Sequence, residues 1–533
     1  MTAKPLGADK GFVSKNEDKQ FDVIVIGSGI GGLTAALTAA RRERRVLVLE
    51  AGKQFGGYLN PFKRRAYEFD PGLHYIGECG PSGQMTRLME RLGLGDAVRF
   101  RELSPDGFDR LVFPGYSVST PRGVDAYRER LKLDFPHETR GLDKFFDLVV
   151  SFRAAAKALD RAKSPASVFS ILPHAPMLLK YLRSTYSELL DEIISDPLLK
   201  AVLAGQGGDI GLPPGKAAAL VGLGLLDHYL GGAYYPVGGS RAMRDALVNG
   251  IRQKGGELLR NHAVSRIVLE NGHVTGVICK NEEQFFAPKI ISNADAVVTY
   301  RDLVGTSNMP RQLRDKTRKT KASFGSICLF LGTDLDVAAA GMTDANIWHY
   351  PTIDLDRAYE PLFRGQMPDE GFFFLSSPSL KDPDTHHGAP PGHHTLEMVT
   401  LVPFEPFEKF AGMPTKKRGE EYEKLKQALA EQYIAQAEKF VPGLSSHLTV
   451  SEVGTPATNV TYAAAPEGSI YGPANTPDQF GPFRFGTESP IAGLYLAGAS
   501  VLGCGIVPSA LSGYRAGKMA TTEKRGIWSR LMG

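Results

Sequence analysis

The chain has 533 residues, 42% of them hydrophobic and 23% charged, with a formal charge of +4. That length exceeds what one core of about 250–300 residues fills, so two domains interleaved in sequence are expected. So small a charge excludes a bulk nucleic-acid binder, and the composition excludes global disorder.

Residues 1–20 are polar and mixed in charge, which predicts a loose tail and no secretory signal. Phe21–Ile26 (FDVIVI) is an almost continuous apolar run, the pattern of a buried parallel strand. Gly27-Ser28-Gly29-Ile30-Gly31-Gly32 follows, then a helix over Ile30–Arg42 and a second buried strand over Arg45–Glu50. Strand, glycine turn, helix and strand form a βαβ unit of parallel sheet, so the fold class is α/β.

The turn carries GxGxxG at Gly27, Gly29 and Gly32. The first glycine permits the tight turn, the second lets a pyrophosphate approach the backbone, and the third lets helix and strand pack closely. Phosphates would lie on the helix N-terminus, with Ile30 and Gly31 in its first turn, where unpaired N–H groups favour negative charge. Glu50, 18 residues past Gly32, ends the next strand where an acid can bond ribose hydroxyls. Ala51 follows it, and the pair Gly56-Gly57 comes six residues past the acid. A second backbone approach of this kind suits FAD, which is longer than NAD and passes another segment on its way to the ring; a plain turn is the alternative.

Beyond the pair, Tyr67–Phe69 reads as a short strand and Pro71-Gly72 as a turn, leading into Leu73–Glu78. This places His74, Tyr75 and Glu78 as candidate proton donors or positioning groups, with flavin packing as the alternative. Leu148–Leu190 reads as helical cap material. Its stretch Ser167–Ser184 mixes basic and apolar residues, as does Lys524–Met532. Two readings stand for the cap, a face that lies on a bilayer or a layer packed inward. The longest apolar stretch, Ala217–Leu226, is far short of the ~20 residues of a spanning helix, so any membrane contact is peripheral. Gly222-Leu223-Gly224-Leu225-Leu226-Asp227 fails at the third glycine, so no second dinucleotide motif is present.

From Ala233 glycine turns and strands return, with a hairpin turn at Asn271-Gly272. Further strands are expected within 323–402, a helix over Lys416–Phe440, and a last strand over Gly493–Leu496. Gly498 and Gly503–Gly513 then form a glycine turn and helix start. Such an element can aim N–H groups at a flavin's pyrimidine edge, although a purely structural strand–turn–helix has the same spacing. His386, His387, His393 and His394 lie in a Pro/Gly/Asp loop without helical spacing, so no metal site is expected. Cys79, Cys279, Cys328 and Cys504 form no CxxC pair, which fits a reducing, cytoplasmic setting.

Together with YEFDPGLHYIG (67–77), YYPVGGS (234–240) and GSIYG (468–472), these motifs resemble the phytoene desaturase, carotenoid isomerase and retinol saturase superfamily of flavoproteins. The likeness runs from about Phe21 to Ala520, and FDPGLHYIGE with the GCGIV turn is most similar to retinol saturases. The chain departs from the animal retinol saturases at Tyr58-Leu59. The resemblance implies a Rossmann-like FAD-binding domain of the p-hydroxybenzoate hydroxylase-like (GR2) type, interleaved with an α+β substrate domain. The FAD-binding domain would comprise residues 21–95, 233–322 and 485–522. The substrate domain and its cap would comprise 96–232 and 323–484, with 523–533 a tail.

It further implies an FAD-dependent oxidoreductase that saturates, desaturates or isomerises a carbon–carbon double bond of a hydrophobic polyene or isoprenoid, with an electron donor or acceptor as partner. Gly27, Gly29, Gly32, Glu50, Gly56 and Gly57 then fall on FAD. Gly505 and Ile506 fall near the ring, and Val264 contacts the adenine side through its backbone. Two alternatives share the fold: an amine oxidase, for which Tyr471 alone supplies no aromatic cage, and a non-catalytic prenyl-lipid carrier.

Overall fold

The computed structural model describes residues 19–161, 169–385 and 388–522. The expected N-terminal tail up to Glu17-Asp18 and the basic-apolar stretch Lys524–Met532 lie outside the described residues.

Val23–Ile26 is β-branched at every position and buried at every position, which suits a strand covered on both faces. It pairs in parallel with Val46–Leu49 on one side and Ile290–Ser292 on the other. Glu257–Leu259 and Leu494–Leu496 add to the two edges, completing a five-stranded parallel sheet. The period-two alternation of the strands divides between two cores. Val23, Val25, Val46 and Val48 face the helices Ile30–Ala40, Gly239–Gln253 and Ile506–Thr521. Ile24, Ile26, Leu47 and Leu49 face an antiparallel meander of Val264–Glu270, His273–Cys279 and Gln284–Phe286.

The meander's first turn is the expected hairpin. Asn271 (φ +50°) and Gly272 (φ +78°) both take the left-handed conformation that a two-residue primed turn requires. Helices Ile30–Ala40 and Ile506–Thr521 approach each other at glycine, since a Cβ on Gly513 would stand 2.0 Å from the Gly31 carbonyl oxygen. The last strand starts one residue later than expected because Gly493 (φ +83°) turns the chain into it.

A seven-stranded sheet forms the second layer system, in the order Leu448–Gly454, Gly325–Thr333, His394–Val402, Phe373–Ser376, Asn346–His349, Asp109–Phe113, Tyr116–Thr120. Its pairings are antiparallel except Asn346–His349 with Asp109–Phe113, which is parallel. Thr139–Arg161, Ala175–Tyr181, Tyr186–Ile193 and Ala219–Leu230 form the helical cap. Gly222–Asp227 lies inside the last of these helices, so it makes no phosphate turn. A small antiparallel sheet of Ile76–Gly77, Ala233–Pro236 and Phe100–Glu102 lies directly after the segment holding His74 and Tyr75.

Candidate active site

The glycine turn has the shape its spacing predicts. Gly27 sits at φ +87°, and a Cβ on Gly32 would stand 2.0 Å from the Gly27 carbonyl oxygen, so the third glycine is what allows helix and turn to meet. Gly29 is the N-cap of helix Ile30–Ala40 with no side-chain cap, which leaves that helix terminus free for an anion. Glu50 closes the far side. Its Oε2 accepts from the Ser28 amide at 2.9 Å and from the Ser28 hydroxyl, and its Oε1 accepts from the Gly52 amide at 2.7 Å. Gly56 (φ +123°) donates its N–H to Ser28 Oγ at 3.1 Å, and a Cβ on Gly57 would reach 3.2 Å from Gly29 Cα. The two glycine segments, 29 residues apart, thus line one narrow cradle. The His262 amide donates to the Glu50 carbonyl at 2.8 Å, which brings Val264, two residues on, to the same end.

Asn293, which follows strand Ile290–Ser292, also reaches this cradle. Its amide lies 2.8 Å from where a Gly29 Cβ would be and 2.7 Å from a Gly498 Cβ, and its Oδ1 is buried without a partner among the described residues. An orphaned buried amide oxygen is costly unless a ligand group meets it. A cradle that only glycines leave open, a bare helix terminus and this amide fit the phosphates and ribose of FAD. Gly498 (φ +89°) and Gly505 (φ +90°) complete the C-terminal turn, and Gly505 caps helix Ile506–Thr521, again with no side-chain cap. Asn293 was legible only as part of SNADA after a short strand, a pattern with no local signature of phosphate binding.

His74 and Tyr75 enter a buried polar network. His74 Nδ1 lies 2.7 Å from Glu397 Oε2, and the Asp70 amide donates to Glu397 Oε1 at 3.1 Å. Lys381, fully buried, donates through Nζ to the His74 carbonyl, Asn346 Oδ1 and Ser376 Oγ, each at 2.6 Å. The Tyr75 hydroxyl donates to Asp109 Oδ2 and Asp209 Oδ2, both at 3.2 Å. Tyr229 stacks on Tyr75 with ring centroids 4.3 Å apart and donates to Asp209 Oδ2 at 2.9 Å. Asn346 and Gln206 donate to Asp109 at 2.7 and 2.6 Å.

Burial governs the charges here. It pulls the Lys381 ammonium down to about 7 against the pull of Glu397 and Asp109. It pushes the Asp209 carboxyl up to about 6, opposed by the Tyr229 hydrogen bond. Burial also raises Glu397, with the His74 hydrogen bond opposing, and raises Asp109 against the bonds from Asn346 and Gln206. Three carboxyls facing one ammonium in a dry interior cannot all ionise together, so the group titrates as a unit.

The network touches the C-terminal turn. Cys504 Sγ lies 3.6 Å from the Asp209 carbonyl oxygen, and Asn475 Nδ2 bonds both Cys504 Sγ (3.3 Å) and the Ile210 carbonyl (3.2 Å). Tyr75, Asp209 and Cys504 therefore lead from the His74 segment to Gly505. Glu78 is not brought to this point: at φ +61° its Oε2 accepts the Gln84 amide at 2.9 Å, at the start of helix Gln84–Arg91. In the histidine loop, His386 and His387 lie outside the described residues, while His393 bonds the Tyr67 hydroxyl (2.6 Å) and His394 bonds Ser379 Oγ (3.2 Å).

Residues 30–518 match the family described as flavin containing amine oxidoreductase. The chain belongs to that family. It is 30% identical over 526 residues to the all-trans-retinol 13,14-reductase of Macaca fascicularis, covering 93% of this chain and 85% of the relative. Similarity to the chloroplastic prolycopene isomerase 1 of an Oncidium hybrid cultivar is 29% over 519 residues, covering 95% and 84%. An oxidoreductase of known structure from Methanosarcina mazei shares the fold, with a TM-score of 0.64 at 16% identity, covering 93% of this chain and all of the other. As a member of this family the protein is an FAD-dependent oxidoreductase, and the residues that would hold the FAD phosphates and ribose are those of the glycine cradle with Glu50 and Asn293. When bound, FAD would supply two-electron transfer, and the residues around it its orientation.

Proposed function

We propose that the enzyme acts on a carbon–carbon double bond of a hydrophobic polyene or isoprenoid, as a saturase, desaturase or isomerase. The observation that carries this reading is the setting of His74. Glu397 holds Nδ1, no described residue bonds Nε2, and the side chain is one-fifth exposed (20%). Beside it stands an aromatic wall: Phe374 lies 5.4 Å from the His74 ring, Tyr75 stacks on Phe374 at 5.8 Å, and Trp348 meets Phe374 edge-on at 4.9 Å. Such a wall suits a long apolar conjugated chain, and the retinol and prolycopene enzymes named above act on ligands of that class.

Saturation adds a hydride equivalent, which FAD would supply when bound, to one carbon and a proton to its neighbour. In this reading His74 gives that proton through Nε2, supported by Glu397 bonding its Nδ1 and Lys381 bonding its backbone carbonyl. Tyr75, tied at its hydroxyl to two carboxyls, positions rather than donates: burial, then Asp109, pushes its hydroxyl well above the usual phenol range. Net reduction needs two electrons from an external donor, whereas isomerisation returns both. The division into an FAD-binding part and a substrate part at residues 21–95, 233–322 and 485–522 against 96–232 and 323–484 belongs to the same proposal. So does peripheral contact with a membrane through the cap, since no helix among the described residues is long and apolar enough to cross a bilayer.

The test is anaerobic mixing of the reduced holoenzyme with a panel of polyenes of different chain length. Reoxidation of the flavin by a polyene, with loss of one double bond in the product, supports saturation, and rearrangement without net reoxidation supports isomerisation. A reduced enzyme that is neither reoxidised by nor converts any polyene, whereas the oxidised enzyme is reduced by amines and reoxidised by oxygen in air, would overturn the reading in favour of amine oxidation.

A further inference from the structure

A cavity of about 480 Å³ lies outside both the glycine cradle and the His74 network. Its floor is buried and largely apolar, formed in part by Met309 and Pro473, while Arg301, Arg314 and Arg318 line it from exposed positions. The volume is that of a small-molecule site, for which about 300–1,000 Å³ is usual. The three guanidinia are unequally engaged. Arg301 is held in a fork by Asp302 at 2.7 and 2.9 Å, with Glu467 nearby at the cavity wall. Arg318 lies 3.5 Å from Asp315 in an exposed pair, a contact of little strength. The Arg314 guanidinium makes no hydrogen bond or ion pair with any described residue, although it lines a concave site.

The Asp295 carboxylate at the wall is turned to the chain itself. It accepts from the Val297 and Val298 amides at 2.7 and 3.4 Å and from Ser500 Oγ at 3.0 Å. Gly472 also lines the cavity, and a Cβ on it would come within 3.7 Å of Ala499 and 3.8 Å of Ser500 Oγ. The cavity thus shares a wall with the turn that runs from Gly498 to Gly505, without including any of the glycines that form the cradle.

We propose that this cavity is a second nucleotide site, taking a phosphate-bearing nucleotide distinct from the FAD in the glycine cradle. A guanidinium fork matches a phosphate, and an apolar buried floor accepts a flat base. Inorganic phosphate leaves the apolar floor uncovered, and a neutral polyene leaves Arg314 facing nothing of opposite charge. The inference does not depend on the substrate of the enzyme, because it concerns binding alone.

The experiment is calorimetric titration of FAD-saturated, oxidised holoenzyme with NADP⁺, with ADP and with inorganic pyrophosphate, the flavin absorbance being followed to show that FAD stays in place. The expected result is one nucleotide site per chain, filled at least tenfold more tightly than by pyrophosphate. Arg314→Glu should weaken it at least tenfold at unchanged FAD content and Tm, and Arg314→Lys should retain part of the affinity. Preference for NADP⁺ or for ADP would each support the site and tell which base it prefers. Three results would overturn the proposal: no nucleotide binding to the holoenzyme, binding unchanged in Arg314→Glu and in an Arg314→Ala, Arg318→Ala double variant, or pyrophosphate binding as tightly as either nucleotide.

Discussion

His74 and Glu397 are joined by a 2.7 Å contact between Nδ1 and a carboxylate that is itself fully buried, across 323 residues of chain. The acid has one oxygen on the imidazole and the other on the Asp70 amide, so it fixes the ring against the backbone of the same turn. A histidine held at one nitrogen and open at the other is oriented for proton transfer at the open one.

If His74 delivers the proton, His74→Gln lowers turnover about 10²-fold or more with FAD content intact. Glu397→Gln acts through the ring's orientation, so it should cost less and displace the pH–rate profile, and Tyr75→Phe should change KM more than kcat. Steady-state kinetics across pH 5–9, after the flavin absorbance of each variant is checked, measures all three. Rates of His74→Gln equal to those of the unaltered enzyme would mean that solvent supplies the proton or that none is needed.

Lys381 makes stability depend on pH in a definite direction. Its ammonium titrates near about 10.4 in an unfolded chain, and in the folded protein burial lowers it to about 7. Between those values the unfolded chain binds the extra proton, so this group's contribution to stability rises with pH across the window and is lost as pH falls through about 7. Urea unfolding of the unaltered protein and of Lys381→Met should therefore differ by an amount that grows from pH 7 to pH 10 in favour of the unaltered protein. A difference flat over that range would show that the ammonium is not displaced.

Gly29→Val tests the cradle. The new Cβ would come to 2.8 Å from the Asn293 amide, and the branches beyond it would point where a pyrophosphate lies. Overpacking of this kind costs roughly 1–3 kcal/mol, which, if it falls on the bound state, weakens FAD binding about 5- to 150-fold. Purified protein should be folded by circular dichroism and nearly colourless. A normal visible spectrum would move the cofactor site elsewhere.

The cap's outer face carries Leu172 and Leu179, 59% and 71% exposed, beside Lys180 and Arg183. The side chain of Phe169, expected on the same face, lies outside those described. Exposed leucines next to basic residues suit the boundary of an anionic bilayer. Burying a leucine gives about 1.5–3 kcal/mol, so Leu172→Ser with Leu179→Ser should lower liposome co-sedimentation at least tenfold while flavin absorbance stays the same. Equal sedimentation of the variant and the unaltered protein would leave these leucines as plain surface.

The glycine cradle was legible in the sequence because its determinants are local. A left-handed Gly27, a bare helix start at Gly29 and an acid ending the next strand all depend on residues within one βαβ unit. The Asn271-Gly272 turn was legible for the same reason, two adjacent residues that accept positive φ. The candidate acid's partners were not. Asn346 reaches Asp109 because their strands pair in parallel with these two residues in register. Glu397 stands opposite Ser376 in another pair, and Lys381 follows Ser376 by five residues. In the sequence each is an isolated polar residue in or beside an apolar strand, and nothing in its neighbours says whether it faces water, a partner or a substrate. Only the register of the seven-stranded sheet decided that, because sheet pairing joins distant segments through backbone hydrogen bonds that carry no mark of the side chains they will bring together.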